Sequence, residues 1–206
     1  MKIKICGITN LADARAAVAA GADMLGYIFV KKSARYITPD EAAAIIAEVT
    51  SVEHVGVFVD ESSQDMRRIA SQCGLDLLQL HGAEPPAQFA ELADFACIKS
   101  LAVHSAEDLQ RLQDYPKVPI LLDSASGTDG GSGETGDWEL AGRAASTREI
   151  ILAGGLYPQN VAAAIAAVRP AGIDVSTGVE TDKRHKNHAK IQAFIQNARC
   201  AAAALA

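Results

Sequence analysis

Two groups able to move a proton close short apolar runs of this chain. Lys4-Ile5-Cys6-Gly7 ends the first such run, and Pro119-Ile120-Leu121-Leu122-Asp123 ends the sixth. A cysteine acts as a base or nucleophile only as its thiolate, which forms near pH ~8.5 unless a neighbouring cation or helix N-terminus favours it. A carboxyl delivered by an apolar strand suits general acid or base work. Each has a plainer reading: Cys6 as a small buried hydrophobe, Asp123 as a cap for the following turn. Alternation puts Lys4 and Cys6 on one face of the first run, Ile3 and Ile5 on the other.

Small residues follow the seventh and eighth runs, in Ala153-Gly154-Gly155 and Ser176-Thr177-Gly178. Such turns let backbone amides approach a phosphate; tight turn geometry is the alternative. The glycine-dense stretch 127–133, with Gly131 and Gly133, can close over an anion or simply flex. Arg35 lies with Lys31 and Lys32 on the segment after the second run, either as a fork for a carboxylate or as part of a solvated basic loop. Gln79 and His81 end the fourth run, to bind a polar substrate or to bond to a neighbour. Asp174 is expected to point inward and pair with Lys4 or Lys99, a structural arrangement more often than a catalytic one.

These groups must be held by the elements around them. Runs rich in strand formers recur at 3–6, 24–29, 54–59, 75–80, 95–101, 118–123, 150–153 and 172–176. Each precedes a helical pattern, at 11–20, 38–49, 62–73, 85–93, 105–113, 138–145, 158–168 and 186–203. Thr38, Pro39 and Glu41 form a capping box with proline at the first helical position. Ser62, Ser105 and Asp137 are N-cap types, and Gly21 and Gly74 are helix stops. Strand and helix in strict alternation require a parallel sheet covered by helices. Eight units predict one (β/α)8 TIM barrel over 1–206, with function on the loops after the strands. A doubly wound open sheet is the alternative, but no G-x-G-x-x-G follows the first strand. Two post-strand segments, 30–37 and 124–136, are longer than the others and are read as substrate loops.

Composition narrows the function classes. The 206 residues are 49% hydrophobic and 21% charged, which excludes a disordered chain. A net charge of −6 argues against nucleic acid held by bulk charge. No signal peptide and no bilayer-length apolar run is read. The four cysteines form no C-x-x-C pair, so free thiols in the cytoplasm are expected, with Cys73, Cys97 and Cys200 as small buried hydrophobes. The histidines suggest no metal site: His54 begins a strand, His104 follows one, and His185 and His188 sit with Lys183, Arg184 and Lys186 in what reads as solvated surface.

Taken together, Lys4-Ile5-Cys6-Gly7-Ile8-Thr9, Lys32-Ser33-Ala34-Arg35-Tyr36, Val55-Gly56-Val57-Phe58, Gln79-Leu80-His81-Gly82, Leu121-Leu122-Asp123, Gly130-Gly131-Ser132-Gly133, Gly154-Gly155-Leu156 and Asp174-Val175-Ser176-Thr177-Gly178-Val179-Glu180 resemble the phosphoribosylanthranilate isomerase family of tryptophan biosynthesis. The resemblance implies a cofactor-free Amadori rearrangement of N-(5-phosphoribosyl)anthranilate to 1-(2-carboxyphenylamino)-1-deoxyribulose 5-phosphate. It implies Asp123 as general acid and Cys6 as general base. It implies Arg35 at the anthranilate carboxylate; Gln79 and His81 are read as further substrate contacts from their place at a strand end. Gly154, Gly155, Ser176, Thr177 and Gly178 then hold the phosphate, helped by Gly131 and Gly133. The family usually has an aromatic residue before Asp-Trp; this chain has Gly136 before Asp137-Trp138. A small-molecule phosphosugar partner is expected, without nucleic acid or membrane, in a monomer or homodimer. The competing readings are a related phosphosugar enzyme on the same fold and a non-catalytic phosphosugar-binding barrel.

Overall fold

The computed structural model describes residues 1–123 and 137–205. Eight parallel strands close into a barrel in chain order: β1 (Lys2–Cys6), β2 (Met24–Ile28), β3 (Glu53–Phe58), β4 (Leu77–Leu80), β5 (Ala96–Ala102), β6 (Ile120–Asp123), β7 (Ile150–Ala153) and β8 (Gly172–Val175). β8 pairs back to β1, with Lys4 beside Asp174. The outer layer consists of α1 (Leu11–Ala20), α2 (Pro39–Glu48), α3 (Ser63–Cys73), α4 (Gln88–Glu91), a 3-10 helix (Asp108–Gln113), α5 (Trp138–Ala145), α6 (Val161–Val168) and α7 (His188–Ala203). The barrel is therefore the predicted (β/α)8 architecture.

Two cores follow from the alternation of side chains. Outward residues such as Ile3, Ile5, Leu25, Leu78, Leu152 and Ile173 pack under the helices. Inward residues Met24, Val55, Ile98, Leu121, Ile151 and Ala153 fill the barrel. Lys4 shares that interior at 1% exposure, its Nζ 3.1 Å from Asp174 Oδ1. Lys99 lies on the outward face, where it donates to Glu84 at 2.6 Å and to the Gly82 carbonyl. The Asp174 partner is thus Lys4 and not Lys99.

Local signals account for most boundaries. Thr38 accepts from the Glu41 amide while Glu41 accepts from the Thr38 amide, and Pro39 occupies the first turn. Ser62 and Asp137 cap α3 and α5. Gly21 and Gly74 end α1 and α3 in the left-handed region, at φ 99° and 73°. His54 is buried; Nε2 donates to the Val49 carbonyl at 2.6 Å and Nδ1 accepts from the Tyr27 hydroxyl at 3.1 Å.

Four helices differ from the sequence reading; one of them, α6, starts at Val161 and not at 158, after a turn over 158–160. The span 85–93 holds only the short α4, because Pro85 and Pro86 supply no amide donors and the turn opens with three-residue bonds. In 105–113, Ser105 accepts from the Asp108 amide and Asp108 accepts from the His104 and Ser105 amides; this tight reciprocal turn leads into a 3-10 helix instead of an α-helix. The last helix starts at His188 and not at 186. His185–Lys186 instead forms β10, antiparallel to β9 (Glu180–Asp182). One further correction concerns Cys200, which is exposed; Cys73 and Cys97 are buried as expected.

Candidate active site

The C-terminal ends of the barrel strands surround a cavity of about 350 Å³. That is within the usual size range of small-molecule sites. Cys6, Arg35, Gln79, His81, Asp123, Gly154, Gly155, Ser176, Thr177 and Gly178 all line it. Residues far apart in sequence therefore meet at one opening. Gly131, Gly133, the rest of 124–136 and the Gly136 substitution lie outside the described residues.

Cys6 is the last residue of β1 and Asp123 the last of β6. Three strand-to-strand steps separate them, through β8 and β7, so they face the cavity from opposite sides. Burial pushes the Cys6 thiol up. Lys4 and Lys186 pull it down and Asp174 adds to the rise, for a net upward shift. Burial also opposes the Lys4 ammonium, but Asp174 and Cys6 outweigh it and its pKa is raised.

Arg35 arrives on the loop after β2. Its Nε donates to Glu180 Oε1 at 2.7 Å, and its Nη2 to Glu180 Oε2 at 2.7 Å and to Thr177 Oγ1 at 3.0 Å. This two-pronged pair fixes the guanidinium plane and leaves Nη1 for another acceptor. Glu180 also accepts from Lys186 Nζ at 2.7 Å and from Ser176 Oγ at 3.2 Å. Burial alone would raise the Glu180 carboxyl, but Arg35 and Lys186 outweigh it and hold it below the usual carboxylate value.

Glu180 and Lys186, which hold the cavity-lining Arg35 and Ser176 from behind, are the residues that sequence reasoning missed. Glu180 stood at the end of a recognised motif without a role. Lys186 was read as solvated surface, yet it is 5% exposed. The β9–β10 ribbon turns it inward, and a pairing two and three residues long leaves almost no periodic signal.

Gln79 Nε2 donates to His81 Nδ1 at 2.7 Å. Burial holds the His81 imidazole below its ordinary pKa, against the pull of Asp123. A neutral ring accepting at Nδ1 carries its proton on Nε2 and offers a donor. Gln79 Oε1 is buried without a hydrogen-bond partner among the described residues.

The turns after β7 and β8 interlock. Gly154 and Gly155 adopt φ 84° and 61°, a region that favours glycine. A Cβ at Gly178 would stand 1.9 Å from the Leu156 carbonyl oxygen, so only glycine permits this approach. Small residues here keep backbone accessible to an anion.

A family model described as N-(5'phosphoribosyl)anthranilate (PRA) isomerase matches residues 3–197. The chain belongs to this isomerase family. The N-(5'-phosphoribosyl)anthranilate isomerase of Geobacter sp. (strain M21) is 48% identical over 200 residues, covering 96% of this chain and 98% of the relative. The crystal structure of phosphoribosyl anthranilate isomerase from Thermotoga maritima superposes with a TM-score of 0.93 at 43% identity, over 97% of this chain and 99% of that one. A phosphoribosyl anthranilate isomerase structure in complex with reduced 1-(o-carboxyphenylamino)-1-deoxyribulose 5-phosphate aligns with a TM-score of 0.89 at 41% identity, over 97% of this chain and 99% of that one. Among the described residues, no group of three or more His, Cys, Asp or Glu side chains could hold a metal ion. No helix of the described residues is long and apolar enough to cross a membrane.

Proposed function

We propose that the protein isomerises N-(5-phosphoribosyl)anthranilate by an Amadori rearrangement, with Asp123 as general acid and Cys6 as general base. The observation that carries this reading is the placement of a thiol and a carboxyl on opposite walls of one cavity that Arg35 and the glycine turns also line. Acid and base work on the two faces of one substrate requires such a separation.

In this reading Asp123 gives a proton to the furanose ring oxygen. The C1–O bond breaks, and the nitrogen lone pair forms the C1=N bond of an iminium. The Cys6 thiolate then takes the proton from C2. The C2–H electron pair becomes the C1=C2 bond, and the iminium electrons return to nitrogen, giving an enolamine. Protonation at C1 and loss of the C2 hydroxyl proton yield the ketone, 1-(2-carboxyphenylamino)-1-deoxyribulose 5-phosphate. No electrons leave the substrate, so no redox cofactor is called for.

Arg35 meets the anthranilate carboxylate through Nη1 while Glu180 holds the other edge of its fork. The turns at Gly154-Gly155 and Ser176–Gly178 hold the phosphate, joined by Gly131 and Gly133. His81 Nε2–H and the unpaired Gln79 carbonyl serve as donor and acceptor for substrate hydroxyls. Such a reaction is a step toward tryptophan, and four free thiols suit the reducing cytoplasm.

The test is turnover of freshly generated phosphoribosylanthranilate, followed by the decay of its fluorescence, with Cys6→Ser and Asp123→Asn alongside. Fast decay in the parent and collapse in both variants is the expected outcome. No decay in a folded parent would sink the isomerase reading.

A further inference from the structure

Cys6 is surrounded by more charge than a lone thiol needs. Lys4 lies beneath it on β1, and Asp174 on β8 pairs with Lys4. On the β2 side the strand offers Gly26 and no charge. Above it stands the cluster of Arg35, Glu180 and Lys186. A Cβ built on Gly7, the residue after Cys6, would meet Arg35 Cδ at 2.7 Å, Ser176 Oγ at 3.0 Å and Lys186 Nζ at 3.4 Å. The Lys186 ammonium is thus packed against the backbone that carries the thiol. Across the cavity stand His81, held neutral, and Asp123, to which the proposed mechanism gives the acid role. Asp13 on α1 accepts from the Lys186 backbone amide and from His188, and not from the Lys186 ammonium.

Among the described residues around the thiol, three cations therefore face two carboxylates. Asp174 answers Lys4, and Glu180 is shared between Arg35 and Lys186. One positive charge is left over. Burying an ammonium is costly. Burial pulls Lys186 below the ordinary lysine value even with Glu180 at 2.7 Å. A neutral side chain could fill the same space without that cost.

We propose that Lys186 is a positioning residue that acts through Cys6: its buried ammonium supplies surplus positive charge that offsets part of the cost of forming the Cys6 thiolate in this buried site. This rests on Cys6 being the base of the proposed reaction. Ser176 orients the ammonium, accepting from Nζ through its hydroxyl at 3.2 Å and its carbonyl at 3.3 Å. Glu180 prevents the cluster from carrying two surplus charges.

The experiment titrates the thiol directly. In a Cys200→Ser background, which removes the exposed cysteine, the rate of Cys6 alkylation by iodoacetamide is measured against pH. Peptide mass spectrometry confirms the labelled residue. Lys186→Gln is expected to raise the midpoint by about one pH unit, so alkylation at a fixed pH below the midpoint slows about tenfold. Lys186→Arg keeps the charge and is expected to keep the parent midpoint. Lys186→Met, which retains the aliphatic stem, takes the place of the glutamine variant if that does not fold. A midpoint unmoved by charge removal, or moved equally by arginine, overturns the inference, since a packing role would respond to both. Turnover of phosphoribosylanthranilate by the parent and by Cys6→Ser is measured in parallel. Lack of parent turnover overturns the reading beneath the inference, whereas an unmoved alkylation midpoint overturns the inference alone.

Discussion

Cys6 and Gly26 are register partners on β1 and β2, and the thiol occupies the space that a side chain at 26 would need. A Cβ there would lie 2.8 Å from Cys6 Sγ and 3.2 Å from Lys4 Cε. Gly26→Ala must therefore displace the proposed base, the lysine beneath it, or both. The expected outcome is a fall in kcat of about ten- to a hundredfold, with KM changed less, and a stability loss of about 1–3 kcal/mol from overpacking. Steady-state kinetics beside urea unfolding separates the two effects.

The pH dependence has a definite sign. A base works when deprotonated, and burial raises the Cys6 thiol above its ordinary value. The rising limb of kcat/KM is therefore expected on the alkaline side of ~8.5, and activity should still be climbing where an exposed cysteine would have levelled off. Cys6→Ser should remove that limb. A plateau already reached at neutral pH would contradict the assignment.

Glu180→Gln tests how the carboxylate fork is aimed. The amide keeps the shape but loses the charge-assisted pair with Arg35. The guanidinium plane is then held less firmly, and KM for phosphoribosylanthranilate is expected to rise about tenfold, with kcat affected less. Arg35→Lys removes the planar fork itself and should raise KM further. Equal KM values in all three proteins would detach Arg35 from substrate recognition.

Gly178→Ala addresses the proposed phosphate grip. The added methyl would sit 1.9 Å from the Leu156 carbonyl, so the turns after β7 and β8 must part. Inhibition by inorganic phosphate is expected to weaken by about tenfold or more, while far-ultraviolet circular dichroism stays unchanged. Parent-like inhibition would place the phosphate elsewhere.

The barrel is largely legible in the amino-acid sequence. Strand boundaries fell within about two residues, because buried parallel strands bounded by glycine, proline and polar caps leave a strong local pattern. Cys6, Asp123 and the glycine turns can be assigned to one opening from the sequence because strand ends in this architecture point there, and they line the same cavity. Less was visible where tertiary pairing overrode local preference. Lys186 lies in a charged stretch that reads as solvated surface, and its tertiary partners Glu180, Ser176 and Asp13 turn it inward. The short α4 and the 3-10 helix likewise depend on how two prolines and one aspartate resolve a few hydrogen bonds.

The surroundings of the thiol have a consequence for biosynthesis on the ribosome. Asp174, Ser176, Glu180 and Lys186 emerge more than 160 residues after Cys6, and β1 has no partner at one edge until β8 appears. A growing chain therefore carries an unanchored β1 and a cysteine with none of these late neighbours. The neighbourhood of the thiol and the closure of the barrel are completed together, in one long-range event that awaits β8 and the β9–β10 ribbon.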